Sequence, residues 1–187
     1  MKKHIYDCLF LKFFKTDQYM KWVLFSCLFF NFMSCMNTPD IPKKGLKEIA
    51  KEVMTQAENA ALITVDSAGI AHVRAMDPFA PEVDLTVWMG TNPKSLKVSQ
   101  IQKNSAVSLY YFNKESASYV TLQGVASIIN AKDKKERYWK KEWKGFYKNK
   151  TTDYILIKFV PYKAVIISEK YKILGDSVTW EAPKLKL

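Results

Sequence analysis

Apolar positions along this chain change period several times, and each change predicts an element. From Lys43 to Ala57, Leu46, Ile49, Ala50, Val53 and Met54 recur every three or four residues, with Lys and Glu between them. That spacing predicts an amphipathic helix covering one face of a sheet. Ala60–Val65 reads as a strand, Asp66-Ser67-Ala68-Gly69 as a hairpin turn and Ile70–Met76 as the returning strand. Along that strand His72, Arg74 and Met76 share one face, and Ala71, Val73 and Ala75 the other. Beyond a Pro-flanked loop at 78–81, the pattern predicts a strand over Asp84–Gly90 and a helix over Pro93–Lys103. Ser105–Phe112 and Ala117–Ile129 read as strands, and Gly124 within the second predicts a bulge or a close approach by another group. Ala131–Lys148 reads as a helix, and Tyr154–Val160 and Ala164–Ser168 as a final strand pair around Pro161-Tyr162. Trp180 is the one large anchor expected in the tail from Glu169. Six or seven strands in hairpin order, with one helix between the third and fourth and another after the fifth, predict a mainly β (α+β) fold. The expected architecture is a small antiparallel barrel capped by helices.

Upstream of this domain the pattern is different. Met20 to Cys35 gives a short basic start, an apolar run too short to span a bilayer comfortably, and then Ser-Cys. This resembles a bacterial lipoprotein signal, which implies Cys35 as the lipidated residue and a cell-envelope location. Residues 1–35 are therefore set apart as a signal segment, with Met1–Tyr19 either a long n-region or sequence upstream of a start at Met20. An uncleaved anchor is the alternative, and a start called too early would leave the domain cytoplasmic. Residues 36–44, polar with two prolines, read as a tether, and 45–187 as the folded domain.

Composition narrows the chemistry. The chain of 187 residues has a net charge of +11, which favours anionic partners but says nothing about fold. Its three cysteines, Cys8, Cys27 and Cys35, all precede the domain, so no disulfide framework, thiol nucleophile or Cys metal site is expected there. With His4 and His72 the only histidines, a zinc or Ser-His-Asp site has almost no support, and no metal is expected.

The stretch Trp88 to Lys97, W-M-G-T-N-P-K-S-L-K, runs from a strand end through an Asn-Pro turn into a helix start. Thr91, Ser95 and Lys97 place two hydroxyls and an ammonium beside the unpaired N–H groups of that helix start. A phosphate seat and ordinary capping both fit this pattern.

A wider set of residues resembles a known family. Ala61 to Asp66, Gly69, H-V-R-A-M at 72–76, D-L-T-V-W-M-G-T-N-P-K-S-L-K at 84–97, S-A-V-S-L-Y-Y at 105–111 and Y-V-T-L-Q-G-V-A at 119–126 occur in order. Together they resemble the pyridoxamine 5′-phosphate oxidase-like split-barrel family, and its general stress protein branch more closely. The resemblance spans about residues 45 to 165. It implies a split-barrel homodimer holding FMN at the subunit interface. It carries Arg74, Ala75 and Met76, then Thr91, Ser95 and Lys97, over as flavin-holding residues, with Trp88, Met89 and Gly90 as the apolar edge for the ring system. Arg74 and Lys97 suit a phosphate as charge-assisted donors; Arg74 as a surface partner of Asp84 or Glu82 is the plainer alternative.

The same resemblance argues against vitamin B6 oxidation. The oxidase proper carries a lysine soon after its arginine motif and a C-terminal Arg-x-His segment. Here Arg74 is followed by A-M-D-P-F, and the last forty residues contain neither Arg nor His. Leu96 also stands where the oxidase has a basic residue. The expected function is thus an FMN-dependent oxidoreductase or FMN-binding stress protein. A deazaflavin or haem in the same barrel is an alternative, with His72 as the one available haem ligand in the domain. A non-catalytic module is another, in which Tyr138, Trp139, Trp143, Phe146 and Tyr147 among the lysines of 132–150 meet RNA or an anionic membrane rather than packing on the sheet. For a lipid-tethered protein, nucleic acid is the less fitting partner.

Overall fold

The structure is a computed structural model and describes residues 44–187; the predicted signal segment, Cys35 and most of the predicted tether lie outside them. The predicted helical stripe forms α1 (Leu46–Gln56), with Ile49, Ala50, Val53 and Met54 buried against the sheet. Full burial of an Ile, Val or Met contributes about 1.5–3 kcal/mol each, so this stripe fixes the helix to the barrel. Glu58, in the left-handed region at φ 56°, turns the chain into β1. β1 (Ala60–Val65) pairs with β2 (Ala71–Met76) across the predicted turn, where the Asp66 carboxylate accepts from the Ala68 and Ile70 amides.

β3 is Val87–Thr91, shorter than predicted at its start. Asp84 ends a turn instead, its carboxylate accepting from the Thr86 amide and hydroxyl. Leu85 takes φ 66° there while its side chain is fully buried. Apolar burial holds a backbone conformation that costs a leucine about 1–2 kcal/mol.

α2 (Leu96–Lys103) follows and lies against β1 and the fifth strand. β4 (Ala106–Asn113) and β5 (Ser118–Ile129) form a hairpin, and β6 (Ile155–Ser168) runs back beside β5. β7 (Lys184–Lys186) pairs with the far half of β6. The seven antiparallel strands run in the order β2-β1-β4-β5-β6-β3, with β7 also on β6. This is the predicted split barrel, with α1 and α2 against its sheet.

β6 is one strand rather than the predicted pair. Opposite Gln123/Gly124 the register slips, so that Tyr162 is the extra residue and Pro161 sits at the bulge, where a missing N–H costs no ladder bond. Gly124 is required at that point, since a Cβ there would stand 2.3 Å from the Val160 carbonyl oxygen and 2.6 Å from the Phe159 ring.

The predicted 131–148 helix is also divided, into α3 (Lys132–Arg137) and a 3-10 turn at Lys141–Gly145. The Tyr154 hydroxyl donates to the Tyr138 carbonyl, an oxygen that a continuing helix would spend on its own fourth residue onward. Tyr138 stacks on Trp88 with centroids 4.4 Å apart, and Trp139 and Trp143 close around Tyr154. These rings form a second core beside the barrel interior. Trp180 anchors nothing and is 86% exposed.

Candidate functional site

β3 ends where α2 begins, and the loop between them carries the predicted hydroxyls. Asn92 closes it by accepting from the Lys94 amide, and its carbonyl accepts from Ser95 N–H. Ser95 stands at the N-cap of α2 without capping it. Its Oγ lies 3.1 Å from Thr91 Oγ1 instead, and Lys97 Nζ donates to that same Thr91 oxygen over 3.1 Å. The three groups singled out in the sequence are thus one connected set.

Arg74, on β2, lies near enough to Lys97 for its charge to act on that ammonium. Its Nη1 donates to Thr64 Oγ1 over 2.6 Å and to the His72 carbonyl over 2.9 Å, and its Nη2 to Gln100 Oε1 over 2.9 Å. It does not pair with Asp84, which holds Thr86, or with Glu82, which holds Trp88 and Tyr138. Among the described residues, neither Arg74 nor Lys97 forms an ion pair with a carboxylate. Burial, then the nearby Arg74 charge, pushes the Lys97 ammonium below its ordinary value. Burial alone lowers Arg74, whose ordinary value is so high that it stays charged. Lys97 beside two hydroxyls, with the Arg74 charge close enough to act on its ammonium, is a donor set that suits a dianionic phosphate monoester.

An open cavity of about 590 Å³ adjoins this set, lined by Ala75, Met76, Gly90, Thr91, Ser95 and Lys97 on one side and by Trp143, Phe146 and Tyr147 on another. Six of the nine residues predicted for the site therefore line one space. Trp88, Met89 and Arg74 do not: Met89 is fully buried in the barrel interior, Trp88 lies in the aromatic cluster with its indole N–H donating to Glu82, and the Arg74 guanidinium is held outside the lining by Thr64, the His72 carbonyl and Gln100. At Gly90 the close approach comes from the chain itself. A Cβ there would stand 2.4 Å from the Trp143 ring and 2.6 Å from that of Tyr154. Asp77 holds that wall by accepting from Trp143 Nε1 over 2.8 Å and pairing with Lys140. A larger groove of about 940 Å³ lies between the end of α1 and the β4–β5 turn, and none of the predicted site residues lines it.

Thr64 and Gln100, the residues that hold Arg74, are the ones that sequence reasoning missed. Each left a signal, a polar side chain at an inward strand position and another on the apolar stripe of α2 between Val98 and Ile101.

The family model described as "Pyridoxamine 5'-phosphate oxidase like" matches residues 45–172, nearly the whole of the described domain. The chain belongs to the pyridoxamine 5′-phosphate oxidase-like family. Solved members of this fold resemble it at low identity. General Stress Protein 26 from Bacillus anthracis str. Sterne superposes with a TM-score of 0.61 at 23% identity, covering 76% of this chain and 98% of that one. A Clostridium acetobutylicum protein related to general stress protein 26 gives 0.62 at 17% identity, over 75% and 94% of the two chains. An FMN-binding pyridoxamine 5′-phosphate oxidase-related protein from Nostoc punctiforme gives 0.54 at 11%, over 75% and 92%. No curated protein sequence matches the chain significantly.

Proposed function

We propose that this member of the family binds FMN and acts as a flavin-dependent oxidoreductase or stress-related flavoprotein, without forming pyridoxal phosphate. The observation that carries this reading is Lys97 set on Thr91 and Ser95 with the Arg74 charge close by, two cations with no carboxylate partner among the described residues. Bound FMN would supply the electron chemistry. The chain's own work is to hold the phosphate through these four residues and to seat the ring system in the cavity beside Ala75, Met76 and the Trp143–Tyr147 wall. Tyr138, Trp139 and Trp143 already face other rings of the protein, which removes most of the stacking surface that an RNA-binding module would use. His72, the residue on which a haem reading depended, commits Nε2 to Asp66 over 2.8 Å.

The reading includes a homodimer. Ala75, Ala61 and Tyr110 lie side by side across β2, β1 and β4, and Ile63 pairs with Val73 one row on. Val73 is 66% exposed and Phe112 52%, so the outer sheet face next to the cavity is apolar and open. A second copy covering it would close the cavity. Cys35, outside the described residues, completes the proposal as a lipid anchor; fatty-acid labelling lost in Cys35→Ala would support it, and an unlabelled wild type would end it.

The flavin claim is tested by titrating the full chain with FMN and following the visible spectrum, alongside Arg74→Ala and Lys97→Ala. Binding by the wild type that weakens at least tenfold in each variant is expected. Wild-type affinity in both variants would place the phosphate elsewhere.

A further inference from the structure

Arg74, Thr64 and Gln100 form a closed triangle. Besides the two bonds from Arg74, Thr64 Oγ1 donates to Gln100 Oε1 over 2.6 Å. Thr64 is fully buried and Gln100 is 4% exposed. A half-buried guanidinium held on this side commonly meets a carboxylate, whose charge would cancel its own. Here every acceptor is neutral: a hydroxyl, an amide oxygen and backbone carbonyls. The amide also leaves its own Nε2 buried without a partner. A glutamate would have supplied the same acceptor without stranding a donor, so the amide at this position carries a local cost that the packing does not explain. Gln100 and Lys97 lie one turn apart on α2, so a single helix carries one cation of the seat and the residue that fixes the other.

We propose that Gln100 is the positioning residue of the phosphate seat, orienting Arg74 through a neutral oxygen so that the seat keeps two positive charges and selects dianionic phosphate monoesters. This rests on the phosphate seat proposed above but not on the flavin ring. Gln100 itself touches no ligand. Its role is to separate the geometry of Arg74 from the neutralisation that usually accompanies it.

The test is Gln100→Glu in the full chain, an isosteric change that keeps both accepted hydrogen bonds and adds one negative charge. Two probes are used, inorganic phosphate by its effect on the thermal midpoint, and FMN beside riboflavin by fluorescence titration. Without ligand the variant is expected to melt at or above the wild-type temperature, because the buried guanidinium gains a counter-charge. Phosphate is expected to raise the wild-type midpoint but not that of the variant, and FMN affinity to fall at least tenfold while riboflavin affinity is unchanged. A variant that responds to phosphate as the wild type does overturns the proposal, as does an equal loss of FMN and riboflavin affinity. If phosphate stabilises only the wild type and neither flavin binds, the seat and the role of Gln100 stand and the flavin reading alone fails.

Discussion

Replacing Gly90 by alanine tests the join between the aromatic cluster and the site. The added methyl would stand 2.4 Å from Trp143 and 2.6 Å from Tyr154, whereas ordinary Cβ contacts begin near 3.4 Å, so both rings must retreat, by about 1 Å. Neither is free to do so. Trp143 is tied to Asp77 through its indole N–H, and Tyr154 to the Tyr138 carbonyl through its hydroxyl. Overpacking costs about 1–3 kcal/mol, and giving up one of those hydrogen bonds adds about 1 kcal/mol. We expect Gly90→Ala to lose about 3 kcal/mol, which for a domain of this size lowers the midpoint by roughly 10 °C. Urea unfolding followed by near-ultraviolet circular dichroism measures it, because tryptophan packing dominates that signal. In a Trp143→Ala background the added cost of Gly90→Ala should be smaller, since only the Tyr154 contact then remains. A Gly90→Ala protein within 0.5 kcal/mol of the wild type would refute the packing argument.

Three further outcomes follow from individual contacts. Glu52 accepts from Lys170 and Tyr171 and pairs with Lys44, which holds its carboxyl down at about 2 against an ordinary 4.5. Its contribution is therefore present above pH 4.5 and lost as pH falls through about 2, and Glu52→Gln should remove about 1 kcal/mol at pH 7 and flatten that acid limb in urea titrations. Lys97 loses its charge below the ordinary 10.5, so wild-type FMN affinity should weaken on the alkaline side before that pH, whereas Lys97→Arg should hold its affinity there; parallel alkaline losses in the two would contradict this. Tyr154→Phe leaves the buried Tyr138 carbonyl without its donor and should cost about 1–2 kcal/mol by thermal unfolding, and a neutral result would mean that water replaces the hydroxyl.

Much of the barrel was legible because its signals are local. The α1 stripe, the Asp66–Gly69 turn and Gly124 each announce themselves within a few residues, and all are where the pattern put them. The differences arise where a distant group decides. The 131–148 helix is divided by a hydroxyl from residue 154, and the strand expected from Asp84 is shortened because the core takes Leu85. Pro161-Tyr162 resembles a strand break, yet the bulge opposite Gly124 absorbs it. Within the site, Thr91, Ser95 and Lys97 were readable together because one loop holds them. The partners of Arg74 were not, since β1 and α2 meet only in the fold, 36 residues apart between Thr64 and Gln100. Trp88 and Met89 resembled a wall for a ligand because an apolar strand end looks the same whether it faces a cavity or the core.

Everything proposed for this site requires that Arg74, Lys97, Thr91 and Ser95 hold a phosphate. The most direct measurement is calorimetric titration of the full-length wild type with FMN and with riboflavin, which differ only by that phosphate. FMN binding at least a hundredfold more tightly is the expected result, and a discrimination that shrinks as salt rises would accompany it. Equal affinity for the two would contradict the account.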